Sequence, residues 1–315
     1  MRTIMKGRAA LAVLLAVLVF AACGDSDEAP TEIQLPPLGE RDSIGGFTFG
    51  GLERNYVLHV PPNHDPQVPE PLLLFFHGFS SSGREFQFFT GLDAVTDERG
   101  WVTVYPDGVS GSWAAECDCT TADDLGVDDV AFVDALIEEL GKTVTVDESR
   151  IYAAGFSQGS QFVHLLACVR ANRLAAVASV GATLATVVAD RCQPVLPLPI
   201  VFIQGTDDQS FPWGGLPPFL SLNETVGKWV DLDGCQDFIE DLEPDLDPDD
   251  GTLVRTETYS SCDGGSEVKL YSVERGGHTW PSSVVPLSEE RFGLTNYDIS
   301  ASRVIVDFFS RFMRD

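Results

Sequence analysis

Gly155-Phe156-Ser157-Gln158-Gly159 stands where an apolar strand, residues 151–154, runs directly into an amphipathic helical pattern over residues 157–172. In that setting a G-x-S-x-G stretch lets the chain turn sharply and hold the serine in a strained conformation. Its hydroxyl then projects above the sheet edge, with a helix N-terminus beneath it. Neither flanking glycine brings a Cβ into the crowded turn. Strand-like runs at 55–60, 72–76, 102–105, 151–154, 175–180, 200–204 and 268–273 alternate with helical patterns, clearest at 128–141, 157–172 and 301–313. Near-continuous apolar strands between such helices imply a parallel sheet covered on both faces. The expected architecture is therefore α/β, a doubly wound and mostly parallel sheet with its site at the carboxyl ends of the strands.

A serine hydroxyl is a poor nucleophile without a base, and the chain offers five histidines, His59, His64, His77, His164 and His278. His164 lies seven residues along the helix that starts at Ser157, roughly 10 Å away at about 1.5 Å rise per residue, so it reads as a packing residue. His59 and His64 precede the nucleophile and read as structural or solvent-facing. His278 follows the strand at 268–273 in the frame Arg275-Gly276-Gly277-His278-Thr279-Trp280-Pro281, and it is the candidate base. A carboxylate that orients this imidazole is expected between the two, in the order serine, acid, histidine. Gly205-Thr206-Asp207-Asp208 after the strand at 200–204 supplies it, and either aspartate could serve. His77 ends the most apolar strand and is followed by Gly78-Phe79. A loop in that place gives one backbone N–H to an oxyanion, and the residue after the nucleophile gives the other, so the donors would be Phe79 and Gln158. His77 then shapes the loop and carries no proton.

Taken together, His77-Gly78, Val127-Asp128-Asp129-Val130, the Ser157 pentapeptide, Gly205-Thr206-Asp207-Asp208 leading to Pro212-Trp213, and Gly276-Gly277-His278-Thr279-Trp280-Pro281 resemble the polyhydroxybutyrate depolymerase and feruloyl esterase group of α/β-hydrolases. The resemblance spans roughly residues 47–315. It implies an α/β-hydrolase fold, with Ser157 as nucleophile, Asp208 as acid and His278 as base, and no metal or organic cofactor. The chain departs from the group in having Gln204 where many members have histidine and Trp213 where tyrosine is usual. Those changes leave the triad intact and bear on the substrate.

The N-terminus carries Arg2, Lys6 and Arg8, then an apolar run over residues 9–22, then Cys23. This reads as a signal peptide over 1–22. Phe20-Ala21-Ala22-Cys23 resembles a lipoprotein cleavage site, which would leave a lipid anchor at Cys23 as the one membrane attachment; the alternative is a plain secretory peptide cut near Cys23 and a secreted chain. Residues 23–45 read as a flexible tether and 46–315 as one catalytic domain, expected to be monomeric. Export makes bridges the expected state of the remaining six cysteines. Nearness along the chain together with the family resemblance implies Cys168 with Cys192 and Cys235 with Cys262. That leaves Cys117-Asp118-Cys119 as a local bridge or as thiols.

The formal charge is -28, from 20 Lys and Arg against 48 Asp and Glu. Nucleic acid is excluded as a partner, because phosphate binding needs a basic face. Residues 231–250 hold ten of the acidic groups. Their spacing misses a calcium loop by one residue and Pro248 interrupts it, so the segment reads as a solvated surface insertion. Phe79, Trp113, Phe156, Phe211, Trp213 and Trp280 belong to loops near the strand ends, with Trp113, Trp213 and Trp280 the candidate substrate-binding residues. The expected substrate is a soluble or oligomeric ester of a hydroxyalkanoate, feruloyl or acetyl group, since no polymer-binding module follows residue 315. A serine peptidase of the same fold and a non-catalytic envelope binding protein are the rival readings.

Overall fold

The apolar run Leu72-Leu73-Leu74-Phe75-Phe76 is wholly removed from solvent, each residue at 0% exposure. It can be so because helices cover the sheet on both sides of it. A computed structural model of the chain describes residues 35–314. Its strands are β1 (Asp42–Phe49), β2 (Leu52–His59), β3 (Glu70–Phe76), β4 (Val102–Pro106), β5 (Val146–Phe156), β6 (Ala176–Val180), β7 (Ile200–Gly205), β8 (Asp237–Leu242), β9 (Leu253–Ser260) and β10 (Val268–Glu274). The helices are α1 (Gly83–Thr90), α2 (Leu92–Arg99), α3 (Thr121–Asp124), α4 (Asp129–Leu140), α5 (Gln158–Val169), α6 (Thr186–Arg191), α7 (Leu222–Asp233), α8 (Glu289–Phe292) and α9 (Ala301–Phe309).

All ten strands form one sheet in the order β1-β2-β4-β3-β5-β6-β7-β10-β9-β8. From β4 to β10 neighbours run parallel, whereas β1, β2, β8 and β9 join antiparallel at the two sides. Strand side chains alternate between two cores. Leu72, Leu74 and Phe76 pack with Phe132 of α4, Phe162 of α5 and Trp229 of α7. Leu73 and Phe75 pack on the other face with Phe86 of α1, Val95 of α2 and Ile305 and Phe309 of α9. The expected doubly wound, mostly parallel sheet is thus the observed one. Among the described residues no helix is long and apolar enough to cross a membrane.

The sequence reading missed three strands, and all lie in the antiparallel flanks. In β8 every residue is exposed, so no buried face marks it; backbone pairing with β9 holds it. This corrects the reading of 231–250 as an insertion, because its middle is an edge strand of the main sheet. β1 begins at Asp42, inside the stretch read as tether, and pairs along its whole length with β2. The domain therefore starts before residue 46. The first residue of β1 is fastened by His59, whose Nδ1 lies 2.7 Å from Asp42 Oδ1 and whose Nε2 lies 3.0 Å from Asp97 Oδ1 of α2. Burial alone would lower the pKa of His59, but Asp93, Asp42 and Asp97 together raise it. The proposed leader over 1–22 and Cys23 lie outside the described residues.

Bridges join Cys168 to Cys192, Cys235 to Cys262 and Cys117 to Cys119. The first ties the end of α5 to the end of α6, and the second closes the β8–β9 hairpin at its open end.

His164 on α5 is fully buried and accepts the indole N–H of Trp229 at Nδ1, 3.2 Å away. Its ring is held neutral, with burial pushing the pKa down to about 3. An unfolded histidine takes its proton near pH 6.5, while this one stays neutral until about pH 3, so the folded state loses stability as pH falls through that window. Replacing His164 with Gln keeps an acceptor for Trp229 and removes the titration. The drop in stability between pH 7 and pH 4.5, measured by thermal or urea unfolding, should be smaller in the variant by roughly 2–3 kcal/mol. Equal drops in the two proteins would contradict this.

Candidate active site

The turn at Ser157 is made by close approach. A Cβ added to Gly159 would lie 2.0 Å from the carbonyl oxygen of Phe76, and one added to Gly155 would lie 2.4 Å from the carbonyl carbon of Gly159. Only glycine at both places lets α5 start directly against the end of β3. Between them Ser157 adopts φ 56° and ψ -125°, a conformation that costs a non-glycine residue of order 1–3 kcal/mol. The surroundings hold it there. Ser157 N–H donates to Val180 O at 2.9 Å. Ser160 Oγ lies 2.6 and 2.9 Å from the carbonyl oxygens of Gly155 and Val180, which share its one proton, and it accepts from Val180 N at 2.8 Å. Ser160 was not singled out from the sequence; its signal is a small hydroxyl residue immediately after the pentapeptide.

Ser157, Asp208 and His278 follow the carboxyl ends of β5, β7 and β10, and the parallel sheet brings them together. His278 Nε2 lies 3.0 Å from Ser157 Oγ, and Nδ1 lies 2.8 Å from Asp208 Oδ2. Asp208 has a fully buried carboxylate and accepts from four donors. Oδ1 takes the backbone N–H groups of Ser210 and Phe211, both at 2.8 Å. Oδ2 takes His278 and the Gln204 amide at 3.0 Å. Asp207, the other candidate, is exposed. Gln204 also donates to Phe211 O at 3.0 Å, so the amide at this departure from the family pattern fastens both ends of the acid's turn. The imidazole lies between two rings, Phe156 at 4.8 Å and Phe211 at 5.9 Å between centroids. Its own loop is pinned by His278 N–H donating to Phe292 O at 2.6 Å.

The two segments expected to carry oxyanion donors meet beside the serine. A Cβ on Gly78 would lie 3.4 Å from Ser157 Cβ, and among the described residues neither Phe79 N–H nor Gln158 N–H donates a hydrogen bond. His77 is fully buried, with Nδ1 2.8 Å from Gly78 O and Nε2 accepting from Gly108 N at 2.9 Å. That pattern requires the neutral ring with its proton on Nδ1. Burial pushes its pKa down in keeping with this.

Two of the three tryptophans expected to touch substrate do not. Trp113 and Trp280 are both at 0% exposure. Trp113 lies stacked on Phe162 and edge-on to Phe76; Trp280 turns inward against Phe75 and donates to Ser302 Oγ of α9 at 3.3 Å. Both loops return into the core instead of rimming a cleft. Trp213 is half-buried, as are Phe211 and Phe219, while Phe79 is 61% exposed. Among the described residues two groups of side chains lie close enough to share an ion, Asp42/His59/Asp93 and Cys117/Cys119/Asp123. The first is already an ion-pair network and the second contains a disulfide. Neither includes a triad residue.

This geometry agrees with what known proteins resemble the chain. Residues 54–196 match the family described as Esterase PHB depolymerase. The protein named "Putative esterase NocK" of Nocardia uniformis subsp. tsuyamanensis is 30% identical over 96% of this chain and 97% of its own. Feruloyl esterase B of Piromyces equi is 28% identical over 71% of this chain, which spans 42% of that longer protein. Among solved structures, an acetyl xylan esterase from Aspergillus awamori superposes with a TM-score of 0.56 at 11% identity, covering 85% of this chain and 99% of that one. The last likeness concerns the fold alone, and it is that of an α/β-hydrolase. By its match to the family and its identity across nearly the whole of a relative, this chain belongs to the Esterase PHB depolymerase family.

Proposed function

We propose that the chain is an exported serine esterase that hydrolyses carboxylic esters through an acyl-Ser157 intermediate. The observation that carries this reading is the unbroken line Asp208 Oδ2, His278 Nδ1, His278 Nε2, Ser157 Oγ, with steps of 2.8 and 3.0 Å. Ser157 Oγ attacks the ester carbonyl carbon while His278 Nε2 takes its proton. Asp208 stabilises the imidazolium and holds the ring in the tautomer that leaves Nε2 free to accept. The tetrahedral oxyanion lies against the N–H groups of Phe79 and Gln158, the second belonging to the first residue of α5. His278 then returns the proton to the leaving alcohol oxygen as the C–O bond breaks. Water, deprotonated by the same nitrogen, releases the acid and restores the serine.

The substrate we assign is a soluble or oligomeric ester of a hydroxyalkanoate, feruloyl or acetyl group. Phe211 supports the aromatic choice, since it lies beside the imidazole and packs edge-on against Phe219 at 5.3 Å. Export rests on the basic start and apolar run before Cys23, and the three bridges suit an oxidising compartment. A lipid on Cys23 would keep the enzyme at the cell envelope.

Ser157→Ala should lower turnover of p-nitrophenyl acetate by at least about 10³-fold with the melting temperature retained; retained turnover would refute the mechanism. Phe211→Ala should raise KM for a feruloyl ester about 5-fold more than for an acetyl ester. Equal changes for the two would remove Phe211 from substrate recognition. Cys23→Ser should move the expressed protein from the membrane fraction to the soluble one, and an unchanged distribution would refute the anchor.

A further inference from the structure

Trp113, lost as a substrate contact, reaches both oxyanion segments at once. Its indole Nε1–H donates to His77 O at 3.0 Å, and its backbone N–H donates to the side-chain oxygen of Gln158 at 3.1 Å. We propose that Trp113 is a positioning residue that sets the Phe79 and Gln158 N–H groups against each other, with the loop over residues 107–115 acting as a brace between them. The proposal rests on the esterase reading above and deepens it.

On the Gln158 side, the side-chain amide is held at both atoms. Its oxygen takes Trp113 N–H and its nitrogen donates to Ser112 Oγ at 3.1 Å. Because Gln158 opens α5, fixing its side chain against this loop fixes how the first N–H of the helix is aimed. On the Phe79 side, the lever is peptide planarity. Gly78 O and Phe79 N–H belong to one rigid unit and point in opposite directions, so the His77 Nδ1 bond to Gly78 O at 2.8 Å aims the Phe79 N–H. The ring that does this is itself set by the loop, through Gly108 N–H to Nε2 at 2.9 Å. Ser80 N–H donates to Gly111 O at 2.8 Å just beyond.

The loop is anchored to the core on its far side. Asp129 accepts Ala114 N–H at 2.7 Å and pairs with Arg54 at 2.6 Å. Asp107 O accepts from Arg54 at 3.3 Å, and its carboxylate accepts Gly83 N–H at 2.7 Å. The Trp113 ring is wedged between Phe76, which precedes His77, and Phe162 of α5. One buried side chain thus touches both elements whose ends supply a donor. Oxyanion stabilisation depends on donors fixed before charge develops, so loosening this brace weakens binding of the transition state more than binding of the ester.

The test uses Trp113→Phe, which keeps a ring and deletes the Nε1 donor, and Gln158→Met, which keeps the backbone N–H and deletes the side-chain ties. Active sites are titrated with diethyl p-nitrophenyl phosphate, and kcat per titrated site and KM are measured with an aryl acetate. Affinity is measured for phenyl trifluoromethyl ketone, whose adduct bears the oxyanion, and for acetate. Each variant should lose roughly 10- to 100-fold in kcat per titrated site, with KM within about twofold. The ketone should weaken in proportion while acetate does not, and the double variant should lose less than the product of the two. An unchanged kcat per titrated site, with only the titratable fraction reduced, would overturn the brace and leave Trp113 a packing residue. So would multiplying effects. A wild-type protein without turnover would instead overturn the esterase reading, and the brace with it.

Discussion

The site depends on one close approach, the first turn of α5 laid against the carbonyl end of β3. Glycine at 159 allows it, because any side chain there would collide with Phe76 O at 2.0 Å. Through this contact the serine at the head of α5 and the His77-Gly78-Phe79 turn after β3 come to the same point. The strain at Ser157 is a consequence, and it persists because Ser160 and Val180 hold the turn from below. Local conformation and packing are the same fact here. The turn that exposes the hydroxyl also aims the helix N-terminus at it.

Around that contact the structure buries polar groups and pairs most of them, Gln204 Oε1 being left without a hydrogen-bond partner. Asp208 sits among four donors, His77 is saturated at both nitrogens, and Gln158 at both side-chain atoms. In a low-dielectric setting such bonds are individually strong and costly to leave unmade. They therefore specify one arrangement where an apolar lining of the same volume would permit several. The Arg54–Asp129 pair is buried too, both side chains within 1% of full burial, but Arg54 Nε and Nη1 have no hydrogen-bond partner and the guanidinium lies over the Phe132 ring instead. Breaking one partner would strand a charge, which keeps the loop over 107–115 in place.

The parallel half of the fold and the three residues that meet at its strand ends were legible because both leave local marks. Buried parallel strands are continuous apolar runs, and Ser157, Asp208 and His278 each follow such a run in turn-forming sequence. The antiparallel flanks were legible only in β2, read as the run at 55–60. β8 has no buried residue, and β1 is half exposed, with a short alternation over 45–49 that places only Phe47 and Phe49 against the core. Trp113 and Trp280 misled because position near a strand end says nothing of whether a loop turns outward. Each turns in and buries its ring, using its N–H on an internal acceptor. The choice between Asp207 and Asp208 came from the family pattern; burial and four hydrogen bonds distinguish them in space.

The proposed mechanism places the transferred acyl group on Ser157 Oγ. The most direct measurement is mass spectrometry of the wild-type protein after reaction with a fluorophosphonate, with the modified peptide sequenced. The account predicts one phosphonyl group per chain, on Ser157, and none after heat unfolding or in His278→Ala. No adduct, or an adduct on another serine while Ser157 stays free, would contradict it.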